Sequence, residues 1–214
     1  GRYLIVFNGE IYNHIELRNR LGDFGSNITS HGDTVSLAYC IDKWGINKSI
    51  ELLEGMFAIG IWDTQAKCLS LARDFAGIKP LFYGWNKNGF VFSSQYNQIS
   101  NHPFFRDEQV NPSVLKLYIS QHFIPPPFGL LKNTFSVFPG EIVKLNEHGK
   151  LEKRRYWSFP KFENSIMNYN DAKNIIENEI KNSVKEQLYS DVPLGAFLSG
   201  GVDSPLICNY AKSH

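Results

Sequence analysis

The stretch Gly195–Ile207, "GAFLSGGVDSPLI", joins an apolar run, a double glycine set among hydroxyls and an acid, and residues able to start a helix. Apolar strand, glycine turn and helix start, in that order, are the layout of a phosphate-binding loop at the end of a parallel sheet. Gly200 and Gly201 let main-chain N–H groups approach a ligand closely. Ser199 and Ser204 add hydroxyls, and a helix beginning near Ser204 turns its positive end toward the loop. The Walker pattern G-x-x-x-x-G-K-[ST] is absent, so this is not an ordinary triphosphatase loop.

Upstream of the loop, "VPLGAFL" (192–198) predicts the buried strand. Before it, "DAKNIIENEIKNSVKEQLYSD" (171–191) predicts a long amphipathic helix, with Ile176, Ile180, Val184 and Leu188 on one face. The polar, irregular "YWSFPKFENSIMNYND" (156–171) separates this α/β pattern from a strand-rich first part. Two domains are therefore expected, over 1–160 and 165–214.

In the first part, "RYLIVFN" (2–8) reads as a strand leading into a helix within "GEIYNHIELRNRLG" (9–22). That helix presents Ile11, Ile15 and Leu21 and ends near Gly22. "SHGDTVSLAYCIDKWG" (30–45) reads as a second helix, capped by Asp33 and closed by Gly45, with Val35, Ala38 and Ile41 sharing a face. "GMFAIGIWD" and "CLSLARD" flank "TQAK" as a hairpin, and "GFVFSSQ" (89–95) adds a strand. "GEIVKLNEHGKLEKRRYW" (140–157) adds a further strand pair turning at Gly149. The Pro-rich "FIPPPFG" (123–129) is a rigid loop, not a domain break, because strands resume behind it.

The chain has 214 residues, 43% of them hydrophobic, which suffices for a sizeable core. With 22 basic against 21 acidic residues the net charge is +1, so no electrostatic reason points to nucleic acid or an anionic membrane surface. The densest basic cluster, Lys153-Arg154-Arg155, reads as a solvated strand edge. No apolar run approaches the ~18 residues of a membrane span. The three cysteines, Cys40, Cys68 and Cys208, lack metal-ligand spacing and read as reduced thiols of a cytoplasmic protein. Without an initiator Met or a signal peptide, the chain reads as an internal piece of a longer protein.

The run "SGGVDS" (199–204) resembles the pyrophosphate loop of the ATP-pyrophosphatase enzymes, which adenylate a carboxyl or amide-type oxygen. The resemblance implies that Ser199, Gly200, Gly201 and Ser204 meet the pyrophosphate of ATP. It also implies that Asp203 helps hold the accompanying Mg2+, and that Phe197 and Leu198 lie beside the adenosine. Pro205 stands where members usually carry a second serine, removing one N–H and one hydroxyl. "FNGEIYNHIEL" (7–17) and "SHGDT" (30–34) resemble the glutamine-binding segments of class II glutamine amidotransferases, the N-terminal-nucleophile glutaminases. "LEGMFAIGIWD", "LARDFAGIKPLFYG" and "FSSQ" resemble the hairpin, turn and strand that follow in that family. "HFIPPPFGLLKNTFSVFPGEIVKL" (122–145) and "SDVPLGAFLSGGVDS" (190–204) resemble the end of that domain and the start of the next in the asparagine synthetase family.

The fold so implied is an incomplete α+β N-terminal-nucleophile αββα sandwich, followed by the start of an α/β parallel-sheet ATP-pyrophosphatase domain. Asn8 and Gly9 match the oxyanion pair, an amide side chain and a main-chain N–H at a sharp turn. Glu10 and Asp33 match positions that hold the substrate glutamine, Asp33 through its α-ammonium group. Arg73 and Asp74 read as a structural ion pair. The family's nucleophile is an N-terminal cysteine; none of the three cysteines matches it, so the chain by itself is expected to be inactive as a glutaminase. Gln95 replaces the family's usual glutamate near the domain interface.

The implied enzyme is a carbon–nitrogen ligase that hydrolyses glutamine and passes ammonia to aspartate. The acceptor is activated as an aspartyl-adenylate, giving asparagine, glutamate, AMP and pyrophosphate. Its small-molecule partners would be glutamine, aspartate and ATP, with neither nucleic acid nor membrane, and the resemblance leaves a homodimer open. Other readings stay open too. Relatives amidate a sugar carboxylate in surface-polysaccharide assembly, some have lost the glutaminase and close a β-lactam ring, and a degenerate homologue would not catalyse at all.

Overall fold

A computed structural model describes residues 1–25, 28–30, 32–163, 166–190 and 192–213. The chain divides into two compact units, Gly1–Phe159 and Pro160–His214. Residue 165, where the second domain was expected to start, and His31 of "SHGDT" lie outside the described residues.

The first unit opens with β1 (Tyr3–Ile11), α1 (His14–Leu21), α2 (Asp33–Trp44) and α3 (Ile46–Leu52), followed by the hairpin β2 (Gly55–Asp63) and β3 (Cys68–Arg73). Next come β4 (Phe82–Asn86), β5 (Gly89–Ser93), α4 (Tyr96–Ser100) and α5 (Pro112–Gln121). Strands β6 (Thr134–Ser136), β7 (Glu141–Asn146) and β8 (Leu151–Arg155) complete it. Every pairing is antiparallel: one sheet runs β1-β2-β3-β7-β8, the other β5-β4-β6.

Alternation along the strands sorts side chains into two cores. Phe57, Ile59 and Ile61 on β2 bury with Leu17, Leu21, Leu37, Ile41 and Ile50 of the first three helices. From the opposite face, Ala58, Leu71 and Val143 meet Leu81, Tyr83 and Val137, with Phe92 and Phe135 of the second sheet. On the far side of that sheet, α4 packs on β4 and β5. The layers are therefore helix, sheet, sheet, helix, the expected αββα sandwich. Gly60 matters to this stacking, because a Cβ there would sit 2.6 Å from the ring of Phe92.

Several local expectations are corrected. The first strand does not end at Asn8 but continues through Gly9 and Glu10 to Ile11, so Asn8-Gly9 lies in a strand and not at a sharp turn. Its period of two outlasts the expected helix start: Tyr3, Ile5 and Phe7 pack toward the helices, and the even positions face the other way. Helix α1 begins only at His14 and buries His14, Leu17 and Leu21, leaving Ile15 exposed. Helix α2 starts with Asp33 as its first residue, so Asp33 is not the cap; Ser36, Leu37, Cys40 and Ile41 form its buried face. Gly45 does close it, donating its N–H to Ile41 O at 2.9 Å.

Arg73 and Asp74 form no ion pair with each other among the described residues. Arg73 donates to the carbonyls of Gly77, Lys79 and Val137, each at 2.8 Å. Asp74, wholly buried, accepts from the N–H groups of Phe57, Ile78 and Lys79 at 3.2, 2.8 and 2.9 Å. Two adjacent side chains thus satisfy backbone that the turn would otherwise bury unpaired. The basic cluster does lie on β8 at a sheet edge, but Lys153 also covers the rings of Tyr83 and Phe135, and Arg154 pairs with Glu51.

The second unit consists of α6 (Tyr169–Gln187) and α7 (Asp203–Lys212). Helix α6 carries the expected four-residue apolar repeat, and Asn168 caps it by accepting from Asp171 N at 3.0 Å. "VPLGAFL" is not a strand, a correction to the sequence reading: no residue described beyond 160 is in a strand. A parallel strand is stabilised by neighbours on both edges and cover on both faces, and this unit supplies two helices alone.

Candidate functional site

The register of β1 against β2 decides what the strand offers to a ligand. Phe57 gives its N–H to Asp74 and receives the N–H of Asp74 at 2.9 Å, so both its polar backbone groups point away from β1. Its partner Gly9 is consequently in a non-hydrogen-bonded pair, with its own N–H turned to the outer side of the edge strand. A side chain at Gly9 is barred, since a Cβ would lie 2.0 Å from Met56 O and 2.7 Å from Phe57 Cα.

Two residues on, in the same row of outward groups, Ile11 donates its N–H to Asp33 Oδ2 at 3.0 Å. Instead of capping α2, Asp33 is drawn onto the edge of β1, about 7 Å along the strand from Gly9. Its other oxygen accepts from Thr34 Oγ1 at 3.2 Å, a solvent-facing contact that leaves lone pairs for a cation. Glu10 is half-buried on the same strand face as Asn8; burial, then the charge of Glu10, pushes the neighbouring Tyr12 hydroxyl up.

Asn8 donates its Nδ2–H to Ser94 Oγ at 2.9 Å. The two flank a cleft of about 350 Å3, lined by Val6, Ala58, Gly60, Phe92, Gln95 and Gln98 among others. Asn8, Gly9, Glu10 and Asp33 are thus brought together at one end of β1. Sequence reasoning passed over Ser94, although it stands inside "FSSQ". It also had no means of seeing the outward row of N–H groups, which depends on strand register.

Neither thiol of the first unit lies at this site. Cys40 is on the buried face of α2, where burial pushes it up to about 11. Cys68 begins β3 opposite Asp63, six residues along β2 from Phe57, or about 20 Å away. Burial raises it as well.

In the second unit the hydroxyls of Ser199 and Ser204 lie 2.8 Å apart. Ser204 Oγ accepts from Ser199 N at 2.9 Å, and Gly201 N donates to Ser199 Oγ at 3.3 Å. Helix α7 begins at Asp203, and Pro205 falls in its first turn, where a backbone N–H has no intrahelical partner to lose. Phe197 and Leu198 are exposed, as are residues 199–203, whereas Ser204 is half-buried. Converging hydroxyls, two adjacent exposed glycines and a helix start suit the oxygens of a polyphosphate. Asp203 is a single carboxylate, and no cluster of three or more metal-ligating side chains occurs among the described residues. A magnesium ion there would take its remaining ligands from phosphate oxygens and water.

Comparison with known proteins agrees with this division. The glutamine amidotransferase domain family matches residues 1–157, and the asparagine synthase family matches 176–214. Asparagine synthetase [glutamine-hydrolyzing] 1 of Bacillus subtilis is 33% identical over 98% of this chain and 33% of its own length. Asparagine synthetase [glutamine-hydrolyzing] 3 of the same organism is 30% identical over 99% of this chain and 34% of its own length. The chain therefore spans about a third of the length of these curated relatives. Among solved structures, the glutamine phosphoribosylpyrophosphate amidotransferase of B. subtilis shares the fold. Its TM-score is 0.51 at 21% identity, over 72% of this chain and 29% of that one.

Proposed function

The chain belongs to the glutamine amidotransferase domain family, and from that premise we propose that it is part of a glutamine-hydrolysing asparagine synthetase. The carrying observation is the convergence at one end of β1 of the outward Gly9 N–H, the Asn8 amide and the Asp33 carboxylate.

Hydrolysis of a carboxamide passes through a tetrahedral oxyanion. Gly9 N–H and Asn8 Nδ2–H, adjacent along the strand, would both donate to that oxygen, each worth about 3 kcal/mol where such donors are preorganised. Both belong to paired strand residues, so little reorganisation is needed as charge develops. Asp33, anchored on Ile11 N–H, would hold the glutamine α-ammonium group, with Glu10 beside it. By itself the chain is expected to release no ammonia from glutamine, because neither Cys40 nor Cys68 is near these donors.

In the second unit, Ser199, Gly200, Gly201 and Ser204 would hold the pyrophosphate part of ATP, with Asp203 toward Mg2+ and with Phe197 and Leu198 beside the adenosine. Bound there, Mg-ATP supplies an activated phosphorus for the aspartate carboxylate. A cytoplasmic location goes with this reading and agrees with the free cysteines and with the lack of a membrane-spanning helix among the described residues. Assembly as a homodimer belongs to the same proposal.

The test is to incubate the product of the complete reading frame with glutamine, aspartate and Mg-ATP. Asparagine, AMP and glutamate are expected in equal amounts. The absence of both AMP and asparagine would end the proposal, whereas AMP released with another carboxylate alone would change the acceptor.

A further inference from the structure

We infer that Ser94 is a positioning residue for the amide of Asn8; the inference rests on the oxyanion role proposed above. Asn8 sits on β1 of the five-stranded sheet, and Ser94 directly follows β5 of the three-stranded one, 86 residues away. The 2.9 Å bond between them is a strut from one sheet to the other at the mouth of the cleft. A terminal amide turns broadly about its last torsion. Asn8 has two N–H groups, and with one given to Ser94 the plane of the amide is fixed and the second is aimed.

Ser94 can do this because its own place is held. Ser93 Oγ accepts from Gln95 N at 3.0 Å and donates to Gln98 Oε1 at 2.6 Å, tying the turn between β5 and α4. Gly60 admits the ring of Phe92 against the first sheet, which brings the end of β5 within reach of β1. A glycine on β2, an aromatic on β5 and a serine after it thereby act on one side chain of β1.

The experiment compares Ser94→Ala, Ser94→Thr, Asn8→Ala and the double variant Asn8→Ala/Ser94→Ala in the product of the complete reading frame. Ser94→Ala should lower kcat for glutamine hydrolysis about tenfold with KM within about twofold, since misaimed donors cost rate more than binding. Ser94→Thr, which keeps the hydroxyl, should restore most of it. The double variant should be no slower than Asn8→Ala, because Ser94 acts through Asn8. Unchanged kcat in Ser94→Ala, or losses that multiply in the double variant, would overturn the inference. If the wild type hydrolyses no glutamine, the functional reading itself falls. The strut is then decided by nuclear magnetic resonance on the 214-residue chain. There the two Asn8 Nδ2 protons should differ strongly in shift and converge in Ser94→Ala, and spectra that do not change would refute it.

Discussion

Single residues carry the geometry of the candidate site on β1, and Gly9 most of all. With Met56 O 2.0 Å from where a Cβ would sit, Gly9→Ala cannot be relieved by turning a side chain, because the obstacle is backbone. The variant should lose about 2–3 kcal/mol, measured as the shift of the urea midpoint at constant slope. Asp63 gives a pH prediction. Arg2 binds it at 2.7 Å and holds its carboxyl at about 2, below the ordinary value of about 4. The native state then binds fewer protons than the unfolded one in that range. The stabilisation is complete above pH ~4 and disappears as pH falls toward 2. Melting temperatures of wild type and Asp63→Asn should differ by a constant amount from pH 7 to 5 and converge below pH 4. The oxyanion candidate Asn8 was legible in "FNGE", since the motif itself names the residue types. Ser94 was not, because its importance comes from a contact across 86 positions.

At the scale of elements, the turn after β3 organises more than itself. Asp74 gathers three backbone N–H groups, one of which, on Phe57, sets the orientation that leaves the Gly9 N–H outward. Asp74→Ala would strand the buried N–H of Phe57 and unpair the part-buried ones of Ile78 and Lys79, at a cost of about 2–3 kcal/mol. Amide exchange should show Phe57 losing protection before the other residues of β2. If Phe57 stays as protected as Ile59, the turn does not govern the strand. The β2–β3 and β7–β8 hairpins were readable, since alternation and turn residues agree locally, whereas the order of strands in the two sheets was not. Helix α5 was passed over although Asn111-Pro112 is an N-terminal signature; Asn111 accepts from Ser113 N at 3.1 Å. Asp33 shows the opposite error. A good capping type in the right place was taken by a tertiary partner, the N–H of Ile11, because an unpaired edge-strand donor competes for the same carboxylate.

For the whole molecule, the two units differ in how much they bury. The first holds two apolar cores, whereas α6 buries Val184 alone and α7 buries no residue. Phe159, which ends the first unit, and Phe162 and Tyr169, which open the second, are 85, 92 and 81% exposed. Chymotrypsin should cut there first and leave a fragment near 1–159 that still melts cooperatively, as checked by mass spectrometry and circular dichroism. Protection of that stretch would contradict the division. The family, the order of the two units and the residue types at both candidate sites were determined by the sequence itself, because motif identity and local periodicity are properties of neighbouring residues. Tertiary structure alone decided that Asn8-Gly9 lies within an edge strand, that the Asp33 carboxylate accepts from Ile11 N–H and that Ser94 meets Asn8. It also decided that "VPLGAFL" makes no strand. Each of these depends on which backbone groups remain unpaired once sheets and helices have packed, and chain-distant partners settle that competition.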